Sequence, residues 1–248
     1  MDHIPWEFRS KKGTRTGKGN LNQDVCLQFS NTNISCFAVL DGHGRDGFQV
    51  AHFVADLLKE KLVERTKYTA FVLSDLAPLF KEIDLELCER GLKGGTTIAC
   101  ILFQHQTKTI VANAGDSHIV LIRNGKAHRL TATHNTTNDQ ERVRIESNGG
   151  EIRNNRVSGS HQVTRGFGDH HLKSYIISEP CVIEVDIGDL DRYLILGSDG
   201  VSNLIVIYKS DITNTTNIVL GWIKRPRSRR YSSEILAVLL AGSVNTAI

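Results

Sequence analysis

Asp41-Gly42-His43-Gly44 follows directly on the apolar run Ile34 to Leu40, and the pattern returns where Tyr193-Leu194-Ile195-Leu196 leads through Gly197-Ser198 to Asp199-Gly200. Each is a strand-like apolar segment that ends in a carboxylate. Packing gives no reason for an acid there, because burying an unpaired carboxylate costs far more than one side chain's hydrophobic gain. Something positive has to meet it. Hard divalent cations take oxygen ligands, and Mg²⁺ needs only a few carboxylates because it keeps several waters. A glycine after each acid lets the chain turn sharply and bring its carbonyl to the same ion. Two such ends point to one metal site, with His43 beside it as a group able to carry a proton near neutral pH. Taken singly, each Asp-Gly also reads as a turn after a strand, and His43 as an exposed turn residue.

Further blocks accompany these two: Asn22-Gln23-Asp24, Gly95-Thr96-Thr97-Ile98-Ala99, Asn113-Ala114-Gly115-Asp116-Ser117 and Arg165-Gly166-Phe167-Gly168-Asp169. In this order they resemble the metal-dependent protein phosphatases, the type 2C Ser/Thr family, from about Gly17 to Asn203. An ordered series of blocks is far more specific than any one motif. The resemblance implies hydrolysis of phosphoserine and phosphothreonine in phosphoprotein substrates, by a water activated at a two-ion Mg²⁺ or Mn²⁺ site with a weaker third ion. It implies Asp41 as the ligand bridging the ions, Gly42 as a carbonyl ligand, Asp199 as a ligand of the first ion and Asp24 as an outer contact to metal waters. Asp116 matches a residue tied to the third ion, and also reads as a turn acid between two strands. His43 matches the general acid. For the phosphate, Lys18 is the nearest basic candidate and Arg15 the next; both read equally as solvated charges. Gly95, Thr96, Thr97, Arg165 and Gly168 look like framework.

The late part of the chain departs from the family pattern. Where a paired acid is expected before a final apolar strand, the sequence has Arg230-Tyr231-Ser232-Ser233-Glu234. Serine is neutral and leaves a cation short of charge, while Glu234 is displaced by a residue, which turns a strand side chain to the other face. The acid expected to partner Asp116 is the amide Asn203. These departures favour a second reading, a weak or inactive phosphatase-like module that binds a phosphoprotein as a scaffold.

The elements that must hold these residues follow from periodicity. Val25 to Phe29 and Ile34 to Leu40 read as a strand pair; Phe48 to Leu62 and Val72 to Leu87 carry apolar residues at helical spacing. Ile98 to Phe103, Thr109 to Ala112 and His118 to Ile122 read as strands, and Asn124-Gly125 as a hairpin turn toward Ala127 to Leu130. A short helix from Asp139 to Ser147 stops at Gly149-Gly150, and Val182 to Ile187 and Tyr193 to Leu196 complete the strands. Clustered strands with a helix block between them argue for an α+β fold with antiparallel sheets. The resemblance sharpens this to a sandwich of two sheets with helices on both outer faces.

Residues 1–19 are polar and basic and read as an arm, leaving 20–248 as a single domain, a size that suits one core at 40% hydrophobic content. A net charge of +3 does not call for nucleic acid, even with the cluster Lys224, Arg225, Arg227, Arg229 and Arg230. Five cysteines without a Cys-x-x-Cys pair suit reduced thiols. With no apolar run of membrane length, the expectation is a soluble cytoplasmic or nuclear monomer with no membrane partner.

Overall fold

The computed structural model describes residues 6–11, 21–68, 71–104, 109–199 and 234–239, with 234–239 described by backbone alone. In chain order the elements are β1 (Trp6–Lys11), β2 (Asp24–Ser30), β3 (Ile34–His43), α1 (Gly47–Arg65), α2 (Leu76–Glu89), β4 (Gly95–Thr96), β5 (Ile98–Gln104), β6 (Thr109–Ala114), β7 (His118–Arg123) and β8 (Lys126–Arg129). Then follow α3 (Asp139–Ser147), β9 (Ile152–Arg153), β10 (Arg156–Val157), β11 (Phe167–Gly168), β12 (Cys181–Val185), β13 (Asp191–Gly197) and β14 (Glu234–Leu239).

Two antiparallel sheets form an α+β sandwich. One runs β11-β4-β3-β5-β6-β12 with β2 paired to β3; the other runs β1-β14-β13-β7-β8. Strand periodicity sorts β3 between two cores. Cys36, Ala38 and Leu40 join Val50, Val54 and Leu58 of α1 and Leu79, Phe80 and Ile83 of α2 on the outer face. Phe37 and Val39 face inward, where they meet Ile119 and Leu121 of β7 and Leu194 and Leu196 of β13. The long helices therefore cover the outer face of the larger sheet. A helix layer over the other sheet is not among the described residues. The Asn124-Gly125 turn forms as expected, with φ of 46° and 70°, the left-handed pair that a two-residue hairpin needs.

Two expectations need correcting. Residues 6–11, read as part of a polar arm, form β1, an edge strand paired with β14. The strand holds because Trp6 packs on the inner core, its ring 6.1 Å from that of Phe37. The helix expected from Val72 begins instead as a 3-10 turn at Leu73–Asp75 before α2. The five cysteines are free, with Cys36 and Cys100 in the core and Cys88 exposed. No helix among the described residues is long and apolar enough to cross a membrane.

Candidate functional site

Continuing the alternation of Phe37 and Val39, Asp41 takes the inward face at the end of β3, and the register sets Asp24 directly opposite it on β2. Like charges placed opposite each other destabilise a strand pair, and here the two acids stand side by side at one end of the sandwich. Asp116 joins them from the turn between β6 and β7, where the chain crosses from one sheet to the other. Asp199 follows β13, whose Gly197 pairs with His118 of β7. All four carboxylates line one cleft of about 480 Å³, together with Gly42, His43, Thr97, Arg156 and His161.

Small polar groups lock this end. The Asp41 N–H donates to Thr97 Oγ1 at 3.3 Å, and Thr97 Oγ1 and Ser117 Oγ are bonded at 2.7 Å. Ser198 Oγ donates to Asp24 Oδ2 at 3.2 Å. Gly42 is dictated by space: a Cβ there would meet the carbonyl oxygens of Gly47 at 2.4 Å and Gln23 at 2.5 Å. The glycine thus lets α1 and the β2 entrance close around the acid that precedes it.

Electrostatics mark the cleft as a place short of positive charge. Burial, with the charge of Asp199 added, lifts the Asp24 carboxyl from 3.8 to about 6 against the opposing contacts of Asp41 and Ser198. Asp41 is held well above the usual range by desolvation and then by Asp24, Asp199 and Asp116. Burial and Asp199 raise Asp116 to about 6. Asp24 Oδ1 is buried with no hydrogen-bond partner among the described residues. An orphaned buried oxygen amid mutually repelling carboxylates is the donor set a hard divalent cation completes. The residues fit Mg²⁺ or Mn²⁺.

On the cleft wall His43 Nε2 lies 2.6 Å from Asp169 Oδ2, and His161 Nε2 lies 3.2 Å from Asp169 Oδ1. Asp169 is buried in a left-handed conformation with φ of 48°. Its N–H donates to Gly94 O at 2.9 Å, and the preceding Gly168 N–H donates to Asp84 Oδ1 of α2 at 2.8 Å. Lys173 Nζ ties Asp84 to the carbonyls of Gly166 and Gly168. A non-glycine residue is kept in this conformation only where its surroundings over-determine it.

Residues 7–206 match the family profile of Protein phosphatase 2C. The chain belongs to that family. Among curated phosphatase 2C relatives it is 33% identical over 226 residues to "Probable protein phosphatase 2C 14" of Arabidopsis thaliana, an alignment covering 86% of this chain and 49% of the relative. It is 35% identical over 190 residues to "Protein phosphatase 2C homolog 1" of Saccharomyces cerevisiae, covering 68% of this chain and 66% of that one. The chain thus spans about half to two thirds of those relatives. Among solved structures it resembles a serine-threonine phosphatase 2C from Toxoplasma gondii, with a TM-score of 0.70 at 19% identity over 96% of this chain and 95% of that one. A C. elegans sex determining protein gives a TM-score of 0.79 at 22% identity, over 100% and 67%. At these identities the structures speak for the phosphatase 2C fold alone.

Within this phosphatase 2C chain the structure brings together Asp24, Asp41, Gly42, His43, Asp116 and Asp199. Lys18, Arg15, Asn203, Ser232 and Ser233 lie outside the described residues, and Glu234 opens β14 opposite Lys11. Arg165 is framework, as expected: with Arg144 it grips buried Glu141, whose carboxyl these guanidiniums pull down to about 2 against the burial that would raise it. Three residues that bear on the chemistry escaped the sequence reading: two that line the cleft and one buried behind it. Arg156 opens the two-residue strand β10 and His161 follows it, in a segment too short for periodicity to flag either. Asp169 closes a block that was recognised, but nothing in the sequence says that its carboxylate reaches His43.

Proposed function

We propose that the chain is a protein serine/threonine phosphatase hydrolysing phosphoserine and phosphothreonine monoesters with Mg²⁺ or Mn²⁺. The observation that carries the reading is the convergence of Asp24, Asp41, Asp116 and Asp199 on one cleft whose wall also carries His43. Asp41, Asp199 and the Gly42 carbonyl would hold two ions, with Asp24 at their waters and Asp116 nearest a third. Bound there, such ions activate a water at neutral pH and neutralise charge on the phosphoryl group.

The chain's own residues supply the remainder. His43 is the cleft residue suited to protonate a leaving serine or threonine alkoxide. Asp169 grips its Nε2 and fixes the ring, which leaves Nδ1 as the nitrogen that can pass a proton on. Arg156, an exposed guanidinium that also lines the cleft, is a phosphate contact available among the described residues. Lys18 and Arg15 remain candidates for the same task.

A specific sequence observation favours the second reading, a phosphoprotein-binding module with little turnover: Ser232 and Ser233 stand where an acid is expected. Hydrolysis of a phosphothreonine peptide across Mg²⁺ and Mn²⁺ titrations, with Asp199→Asn as control, separates the two. Metal-dependent turnover lost in the control supports the phosphatase. No turnover from folded protein at millimolar metal overturns it in favour of the binding module.

A further inference from the structure

Two cleft histidines and the buried acid behind them form a cluster of a different chemical kind from the four carboxylates. Nε2 of His43, Nε2 of His161 and the carboxylate of Asp169 lie within 4.8 Å of one another. The two imidazoles approach separate oxygens of the one carboxylate, whose side chain is 1% exposed, while their own are 28% and 20% exposed to the cleft. Orienting His43 needs only the first contact; the second brings a further nitrogen to the same point. The Gly94 bond to its own N–H and the Asp84 bond to the preceding N–H of Gly168 fix the backbone at Asp169, so the carboxylate is preset. His171 presents one more imidazole, its ring 5.7 Å from that of His161.

Imidazole nitrogen suits zinc, copper and nickel, whereas all-oxygen sets suit magnesium and manganese. Three protein ligands with an open fourth position, filled by water or His171, match the tetrahedral preference of zinc. We propose that His43, His161 and Asp169 form a binding site for a zinc-class transition-metal ion in the same cleft as the hard-ion carboxylates, and distinct from them. A ligating imidazole must be in its neutral form, and binding releases protons. An ion on Nε2 of His43 ties up the ring and leaves only the Nδ1–H of a metal-bound neutral imidazole, a far weaker proton donor than an imidazolium, so that zinc inhibits. The binding stands on geometry alone; the inhibition rests on the phosphatase reading.

Cobalt(II) reports the site directly, because a four-coordinate ion with nitrogen ligands absorbs visible light far more strongly than a six-coordinate oxygen-bound one. The full chain, saturated with Mg²⁺, is titrated with CoCl₂. One equivalent should produce the intense band, and ZnCl₂ should abolish it. Asp41→Asn should keep the band. His161→Gln and Asp169→Asn should each weaken binding at least about 100-fold, beyond the usual loss of a mere supporting partner; asparagine tolerates the left-handed backbone at 169, which keeps the second variant folded if the first fails. Absence of the band in folded wild type, or its persistence in either variant, overturns the site. Loss of the band in Asp41→Asn with retention in His161→Gln would move the ion to the carboxylates. In the wild type, zinc should suppress turnover over the range in which it displaces cobalt. A band without inhibition keeps the site and removes His43 from proton transfer.

Discussion

Asp41→Asn separates a carboxylate that holds an ion from one that holds the fold. Were Asp41 paired with a protein cation, removing its charge would cost about 3–5 kcal/mol, as for other broken buried pairs. Its neighbours are instead Asp24, Asp116 and Asp199. An amide of the same shape should then cost the metal-free fold less than about 1.5 kcal/mol, the range of a volume-conserving swap. Asp24, lifted to about 6 from 3.8, burdens the metal-free wild type by ~3 kcal/mol at pH 7. For an acid with a raised value this cost is absent below about pH 4 and complete above pH 6. A bound cation relieves it, and an ion at 100 times its Kd adds about 2.7 kcal/mol of stability. In a chain of this size each kcal/mol shifts Tm by about 2–4 °C, so the wild type should gain roughly 5–11 °C from Mg²⁺. The variant should gain almost nothing. Thermal unfolding followed by circular dichroism, in EDTA and then in Mg²⁺, makes the comparison at pH 7.5. Lower pH confuses it: burial depresses His118 and His134 to about 4, so they lose stability as pH falls from 6.5, opposite to the acids. A metal-free variant melting 10 °C or more below wild type would show that Asp41 pairs with a protein cation. A variant that keeps the Mg²⁺ shift would put the ion elsewhere.

His43→Gln should lower kcat by about 10²–10⁴ while leaving the Mg²⁺ shift in Tm intact; unchanged turnover would remove His43 from the chemistry. Arg156→Ala should raise KM for a phosphothreonine peptide by about 10-fold, the low end for a charge-assisted bond at an exposed site, and steady-state kinetics with kcat reduced but KM unmoved would contradict that. Glu141→Gln leaves the Arg144 and Arg165 guanidiniums without their buried carboxylate and should cost about 3–5 kcal/mol, read as a fall in Tm. In the wild type that contribution is complete above pH 4.5 and fades only as pH drops toward 2.

How much could be read in advance depended on whether a residue's role is local. Asp41 was legible because a carboxylate closing an apolar strand violates packing at its own position, and Asn124-Gly125 because its turn chemistry is carried by two adjacent residues. The β3 alternation then assigns the face of Asp41 without further information. Asp24 could be named from its block, but its placement across from Asp41 depends on strand register. The His43–Asp169–His161 cluster was not legible: it joins a strand end to an irregular stretch more than 100 residues later, and its geometry rests on the bond from Gly168 to Asp84 of α2. β1 was missed because only Trp6 and Phe8 among its six residues are apolar, and its stability comes from a strand at the other end of the chain.

That pairing governs how the protein can be assembled. Trp6 pairs with Leu239 and Lys11 with Glu234, and β14 also runs beside β13, from Leu194 to Gly197. The strand at residues 6–11 thus waits on a ribosome for the one at 234–239, a loop closure of more than 200 residues. Most of the larger sheet and its two helices come from residues 24–114 and can form early. The smaller sheet cannot, and contacts of such long separation fold slowly. Until residues 234–239 emerge, β13 exposes an open edge two residues before Asp199, making the half of the cleft that carries that acid the last to be completed and the most vulnerable to mispairing.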